Sequence, residues 1–148
     1  MNILVIDAQG GGIGKQVVTA LRKRFPALHL TAVGTNSLAT SAMLRAGADE
    51  AATGENAVVV CARRADLIIG PIGIVIADAL LGEITARMAV AVGQSPARRI
   101  LIPINHCDHF VVGVPDLSMA NLIEAVTREV GRILQEKDAC QESFLKGK

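Results

Sequence analysis

The sequence predicts an α/β domain of three layers, α/β/α, a Rossmann-like arrangement with a mainly parallel sheet. Three observations predict it. Short continuous apolar runs such as Ile3–Ile6 alternate with longer segments whose apolar residues recur at helical spacing. Each run ends abruptly in glycine and polar residues, and 148 residues at 51% hydrophobic content suffice for one well-filled core but not two. A run that is apolar on both faces suits a strand covered on both sides, and parallel strands require crossover helices.

Asn2–Ile6 reads as the first strand. From Ile13 to Arg24 the residues Ile13, Val17, Val18 and Leu21 share a helical face, and Arg22, Lys23 and Arg24 complement the dipole of the last turn. Pro26 ends that helix. Leu28–Val33 is the second strand and Leu38–Ala46 the second helix, with Gly47 as its C-cap. A short strand at Glu50–Ala52, a helix at Asn56–Arg64 and a strand at Asp66–Ile69 follow. Ile74–Leu81 is apolar around most of its circumference and reads as a helix buried on more than one side. In so small a chain that implies a homo-oligomer contact through residues 74–81. Thr85 caps a helix at Ala86–Val92, Arg99–Ile104 and Phe110–Val114 read as strands, and Leu117–Gln135 is the terminal helix, N-capped by Asp116 or Ser118. Residues 1–135 form one domain, and 136–148 a polar tail expected to fray.

Composition excludes several classes. With 15 basic and 14 acidic side chains there is no excess of positive charge for nucleic acid, and without Trp or Tyr there are few platforms for base stacking. The most apolar stretch, Ile68–Leu81, is broken by Gly70, Pro71, Gly73 and Asp78, so no membrane span is expected. Three cysteines, Cys61, Cys107 and Cys140, with no C-x-x-C spacing and no leader-like start, suggest a reducing, cytoplasmic setting.

The segment Asp7-Ala8-Gln9-Gly10-Gly11-Gly12-Ile13-Gly14-Lys15-Gln16 joins the first strand to the first helix. Glycines there let a phosphate approach amides at a helix N-terminus. Against the P-loop the segment fails at Gln9 and at Gln16, which stands where a magnesium-binding hydroxyl is needed. Against G-x-G-x-x-G it lacks the first glycine, and against the methyltransferase register it has Gln9 and Ile13 where glycines belong. The short-chain dehydrogenase loop T-G-x-x-x-G-I-G fits best, through Gly12-Ile13-Gly14. A working enzyme of that class needs a tyrosine, and the chain contains none. The expected ligand is therefore a nucleotide or other anionic small molecule. It would lie on Gln9, Gly10, Gly11, Gly12, Ile13 and Gly14, with Lys15 offering a charge. The second strand ends in Gly34-Thr35-Asn36-Ser37 without an acid, so Thr35, Asn36 and Ser37 could face a ribose or its 2′-phosphate. That reading admits NADP or NAD as cofactor. Gly70, Pro71, Ile72 and Gly73 would form the opposite wall, with Asn105 and Cys107 near the reacting end if there is any reaction.

The run Asp7–Lys15 resembles a family of short bacterial proteins catalogued as a domain of unknown function. So do Gly34–Met43, Ala52–Ala57, Ile69–Ile74 and Leu101–Asn105. The resemblance, centred on a D-[GA]-Q-G-G-G-I-G-K loop, implies a Rossmann-like fold and brings no activity. This chain departs from the usual loop at Ala8 and Gln16.

Asn105-His106-Cys107-Asp108-His109 carries four potential ligands in succession. Adjacent residues of an extended segment diverge, so no metal site is assigned there. Cys107 as a nucleophile with His106 or His109 as its base, a polar loop, and metal ligation completed by a second subunit all stay open. Two classes of function follow: a nucleotide-binding protein without chemistry, or a small oligomeric enzyme in which Cys107, His106 or Asp7 acts in the same cleft.

Overall fold

Five parallel strands form one sheet: β1 (Asn2–Asp7), β2 (His29–Gly34), β3 (Glu50–Thr53), β4 (Leu67–Pro71) and β5 (Arg98–Ile102), in the order β3-β2-β1-β4-β5. In this computed structural model, which describes residues 1–104 and 110–146, they are connected by α1 (Gly12–Arg24), α2 (Ser37–Arg45), α3 (Glu55–Ala62) and α4 (Ala86–Gly93), and α5 (Met119–Lys146) closes the chain. The α/β/α Rossmann-like expectation holds, and every strand pair is parallel.

Alternation along β1 sorts the core into two layers. Ile3 and Val5 pack with Val17, Val18 and Leu21 of α1, Met43 of α2, and Ile123, Val126 and Val130 of α5. Leu4 and Ile6 pack on the other face with Val58 and Ala62 of α3 and Met88, Ala89 and Val92 of α4. Register places Asp7 opposite Gly34 and Val5 opposite Ile69, which brings the ends of β1, β2 and β4 level.

Two expected elements are absent. Residues 74–81 form no helix. A single 3₁₀ turn at Ile72–Val75 leads into turns where Asp78, Leu80, Leu81 and Gly82 all have positive φ, between 58° and 81°. The apolar content that suggested a helix is met differently, because Ile74, Ala79 and Ile84 are folded inward onto α3 and α4. The expected oligomer contact through a 74–81 helix thereby loses its basis. Phe110–Val114 is not a strand either: Gly113 adopts φ 84° and the Val114 amide turns back to the Val111 carbonyl. Beyond Gln135, where a fraying tail was expected, α5 continues to Lys146; Arg132 pairs with Glu129 and Glu136 across successive turns.

Candidate functional site

The strand order reverses between β1 and β4: β1 leads to β2 on one side, β4 to β5 on the other. In open α/β sheets this reversal leaves a crevice beyond the carboxyl ends of the strands. Here it is a cleft of about 320 Å³, floored by Asp7–Ile13 and walled by Pro71, Ile72, Gly73, Leu80 and Ile104, with Gln16 at its rim. Ligand pockets run from roughly 300 to 1,000 Å³, so this one suits a small ligand.

Most of the loop's amides are engaged within the chain. Asp7 is almost fully buried, and its carboxylate accepts the amides of Ala8 at 2.8 Å and Gly14 at 2.7 Å, with the Ile13 amide also facing it. The Gly11 amide goes to the Ala8 carbonyl at 3.0 Å, Lys15 to the Gly11 carbonyl at 2.9 Å, and Gln9 to Glu83 at 2.9 Å. Burial pushes the Asp7 carboxyl above the ordinary aspartate range; the amides oppose that shift and the Glu83 charge adds to it. An acid of the chain thus occupies the helix terminus that the sequence reading reserved for a ligand. Two amides are left: among the described residues, those of Gly10 and Gly12 donate to nothing.

The glycines divide in the same way. Gly11, at φ 70°, lies so close to α2 that a Cβ would stand 2.6 Å from the Ala39 Cα. A Cβ at Gly14 would collide with the Met43 Sδ and lie 2.9 Å from the Asp7 Cβ, and one at Gly70 would be 2.5 Å from the Ile6 carbonyl. These three are glycine because helix and strand pack there. A Cβ at Gly10 or Gly12 would meet nothing within 4 Å, and neither has a positive φ. Internal packing gives no reason for glycine at either position.

Glu83 is the residue the sequence reading missed. Its carboxylate crosses from the segment after β4 to accept the Gln9 amide, the Thr35 hydroxyl and, at 3.0 Å, the side-chain amide of Asn36. Together these contacts hold its carboxyl below the ordinary glutamate range, overcoming the opposing effect of partial burial. Glu83 lies 48 residues from Thr35, so no local spacing pointed to it.

Of the expected site residues, Gln9, Gly10, Gly11, Gly12, Ile13 and Pro71 line the cleft with Asp7. Gly14 and Gly70 are packed beneath it, Thr35 and Asn36 are bound to Glu83, and Lys15 and Ser37 stand outside its lining. Asn105, His106 and Cys107 lie outside the described residues. Ile72 and Gly73, expected on the opposite wall, also line the cleft, and Leu80, Ile104 and Gln16 join the lining without having been expected there. Among the described residues, no group of three or more His, Cys, Asp or Glu could hold a metal ion, and no helix is long and apolar enough to cross a membrane.

A family model described as a domain of unknown function (DUF3842) matches residues 2–135. No curated protein matches. Among solved structures, a dodecameric FMN-dependent UbiX-like decarboxylase from Escherichia coli O157:H7 is similar at 19% identity and a TM-score of 0.46, over 86% of this chain and 75% of that one. The cofactor named for that protein is FMN. Within the present chain, the Thr35 and Asn36 donors that suggested NADP or NAD are taken up by the Glu83 carboxylate, which would repel a 2′-phosphate. The expectation of NADP or NAD is corrected accordingly: the cofactor named for the similar structure is FMN, and the donors that suggested a 2′-phosphate are engaged within the chain.

Proposed function

Since the chain belongs to the family described as a domain of unknown function (DUF3842), which carries no activity with it, we propose a function from the cleft itself. The protein binds one small anionic ligand of mononucleotide size at the carboxyl ends of β1 and β4. The Gly10 and Gly12 amides coordinate its negative oxygens, and Ile13, Pro71, Ile72 and Leu80 cover its apolar part.

One observation carries this reading: Gly10 and Gly12 have no internal reason to be glycine, and theirs are the loop amides without a partner among the described residues. A glycine that neither packs nor turns, beside an unused N–H in a cleft, suits a ligand oxygen approaching the backbone. The cleft falls within the size range of small-ligand pockets, which accommodates a ligand of mononucleotide size.

Calorimetric titration of the full chain with AMP, FMN and inorganic phosphate tests the reading. Saturable binding of a mononucleotide is expected, and Gly12→Val should abolish it without shifting the unfolding midpoint. Undiminished affinity in that variant, or no binding of either mononucleotide, would refute the proposal.

A further inference from the structure

All three contacts of Glu83 fall on one oxygen, Oε2, which takes the Gln9 amide, the Thr35 hydroxyl and the Asn36 side chain. Oε1 accepts nothing among the described residues and is not sealed from solvent. Gln9 itself lines the cleft and is the chain neighbour of Gly10. Glu83 is not itself among the residues lining the cleft, but its carboxylate reaches the glycine loop at Gln9, next to Gly10, so its unpartnered oxygen lies beside the loop proposed to hold the ligand's anionic group. An ionised carboxylate accepts hydrogen bonds and cannot donate them, so its complement on a ligand is a hydroxyl or amino group.

The position matters as much as the chemistry. Dinucleotide-binding α/β folds place an acid at the end of the second strand, where it accepts from ribose hydroxyls. Here β2 ends at Gly34, is followed by Thr35 and Asn36, and supplies no acid; Glu83, bound to Thr35 and Asn36, brings one to that place from the segment after β4. The segment that delivers it is held in an uncommon conformation. Asp78, Leu80 and Leu81 all lie in the left-handed region, and Leu81 buries almost nothing in return. Such conformations persist where the surrounding structure enforces them, and they cluster at ligand clamps.

We infer that Glu83 recognises vicinal hydroxyls on the ligand, so that the cleft selects a ribonucleotide over its 2′-deoxy counterpart. The inference rests on the proposed anion site at Gly10 and Gly12 and adds the identity of the sugar. Glu83 serves both as a brace between the loops after β1 and β2 and as a specificity determinant. A 2′-phosphate is excluded by the same charge.

Calorimetric titration of the full chain with the four ribonucleoside 5′-monophosphates and their 2′-deoxy counterparts tests it. The wild-type protein is expected to bind at least one ribonucleotide about tenfold tighter than the deoxy form, the factor associated with one hydrogen bond to a charged group. Glu83→Gln, which keeps an oxygen for the Thr35 and Asn36 contacts, should lower ribonucleotide affinity by a similar factor and leave deoxynucleotide affinity within about twofold. Equal binding of both sugars by the wild type, or equal weakening of both by Glu83→Gln, overturns the role of Glu83 and leaves the anion site standing. Failure of every nucleotide to bind removes both. Should Glu83→Gln not fold, the wild-type preference alone decides, since it needs no variant.

Discussion

Asp7 Oδ2 accepts the Gly14 amide at 2.7 Å, so the first helix is capped by an acid from the strand that precedes it. The contact spans the whole glycine loop and fixes its two ends to each other. What the loop offers outward is only what this internal cap leaves over.

Replacing Asp7 by Asn should cost about 1–2 kcal/mol, because one carboxylate oxygen becomes a donor facing donors. The loss should depend on pH. The folded carboxyl titrates above its ordinary value of 3.8, so the folded chain keeps this proton longer than the unfolded one. The contribution of Asp7 is complete below the ordinary value and declines as pH rises through the folded one. The gap in unfolding midpoint between wild type and Asp7→Asn, measured from about pH 4 to about pH 7, should therefore narrow with rising pH. A gap that widens contradicts the burial argument.

The glycines of the loop should separate into two groups under substitution. Gly11→Ala and Gly14→Ala should each lose about 1–3 kcal/mol through collision with Ala39 and with Met43. Gly10→Ala and Gly12→Ala should stay within about 0.5 kcal/mol of wild type, since their side chains enter open space. Thermal unfolding of the four variants side by side provides the comparison.

At the opposite end of the sheet, Arg22 donates to the carbonyls of Gly47, Pro26 and Leu28 and to the Asp49 carboxylate at 2.6 Å. Arg22→Ala should cost about 1–3 kcal/mol, and Arg22→Lys should recover little, because a single ammonium cannot span that fork. The Leu30 amide, followed by Arg22, holds the Asp49 carboxyl below its ordinary range. That contribution is present above the ordinary value and is lost as pH falls through the folded one. Acid unfolding of Asp49→Asn should therefore be less steep than that of wild type.

Leu81 is 96% exposed with φ 59°, so its side chain contributes strain and no packing. Leu81→Gly should be neutral or stabilising by up to about 1 kcal/mol, as relief of the left-handed conformation offsets the added chain freedom. Leu80→Gly, at φ 58°, should instead destabilise, because Leu80 is half-buried against the cleft. Chemical denaturation of both variants distinguishes the two positions.

The parts of this fold that were legible in the sequence are those governed by short-range pattern. Ile3–Ile6, the face Val17-Val18-Leu21 and the cap at Thr85 each carry their own period or hydrogen-bonding chemistry, and each formed the element that pattern implied. Residues 74–81 misled because apolar content fixes burial and not shape; Ile74 and Ala79 reach the core through turns. At Phe110–Val114, strand-forming side chains were outweighed by Gly113, whose left-handed conformation supports a turn. The lower wall of the cleft followed from the glycine loop, whereas Leu80 and Glu83 arrive through tertiary geometry that no spacing announces. The internal role of Asp7 was missed for a different reason: the loop was compared with templates for holding a ligand, and a carboxylate five residues before the first residue of a helix was not considered as its cap.

Because β1 lies mid-sheet, a strand made before the other four is among the last to be enclosed. α1, β2 and α2 clothe one side of it soon after they are made, but Leu4 and Ile6 wait for α3 and for Ile68 of β4. Until then the nascent chain carries a bare greasy surface on its reverse side, the kind that chaperones hold. Premature termination before β4 would therefore release a sticky fragment and not a smaller working protein.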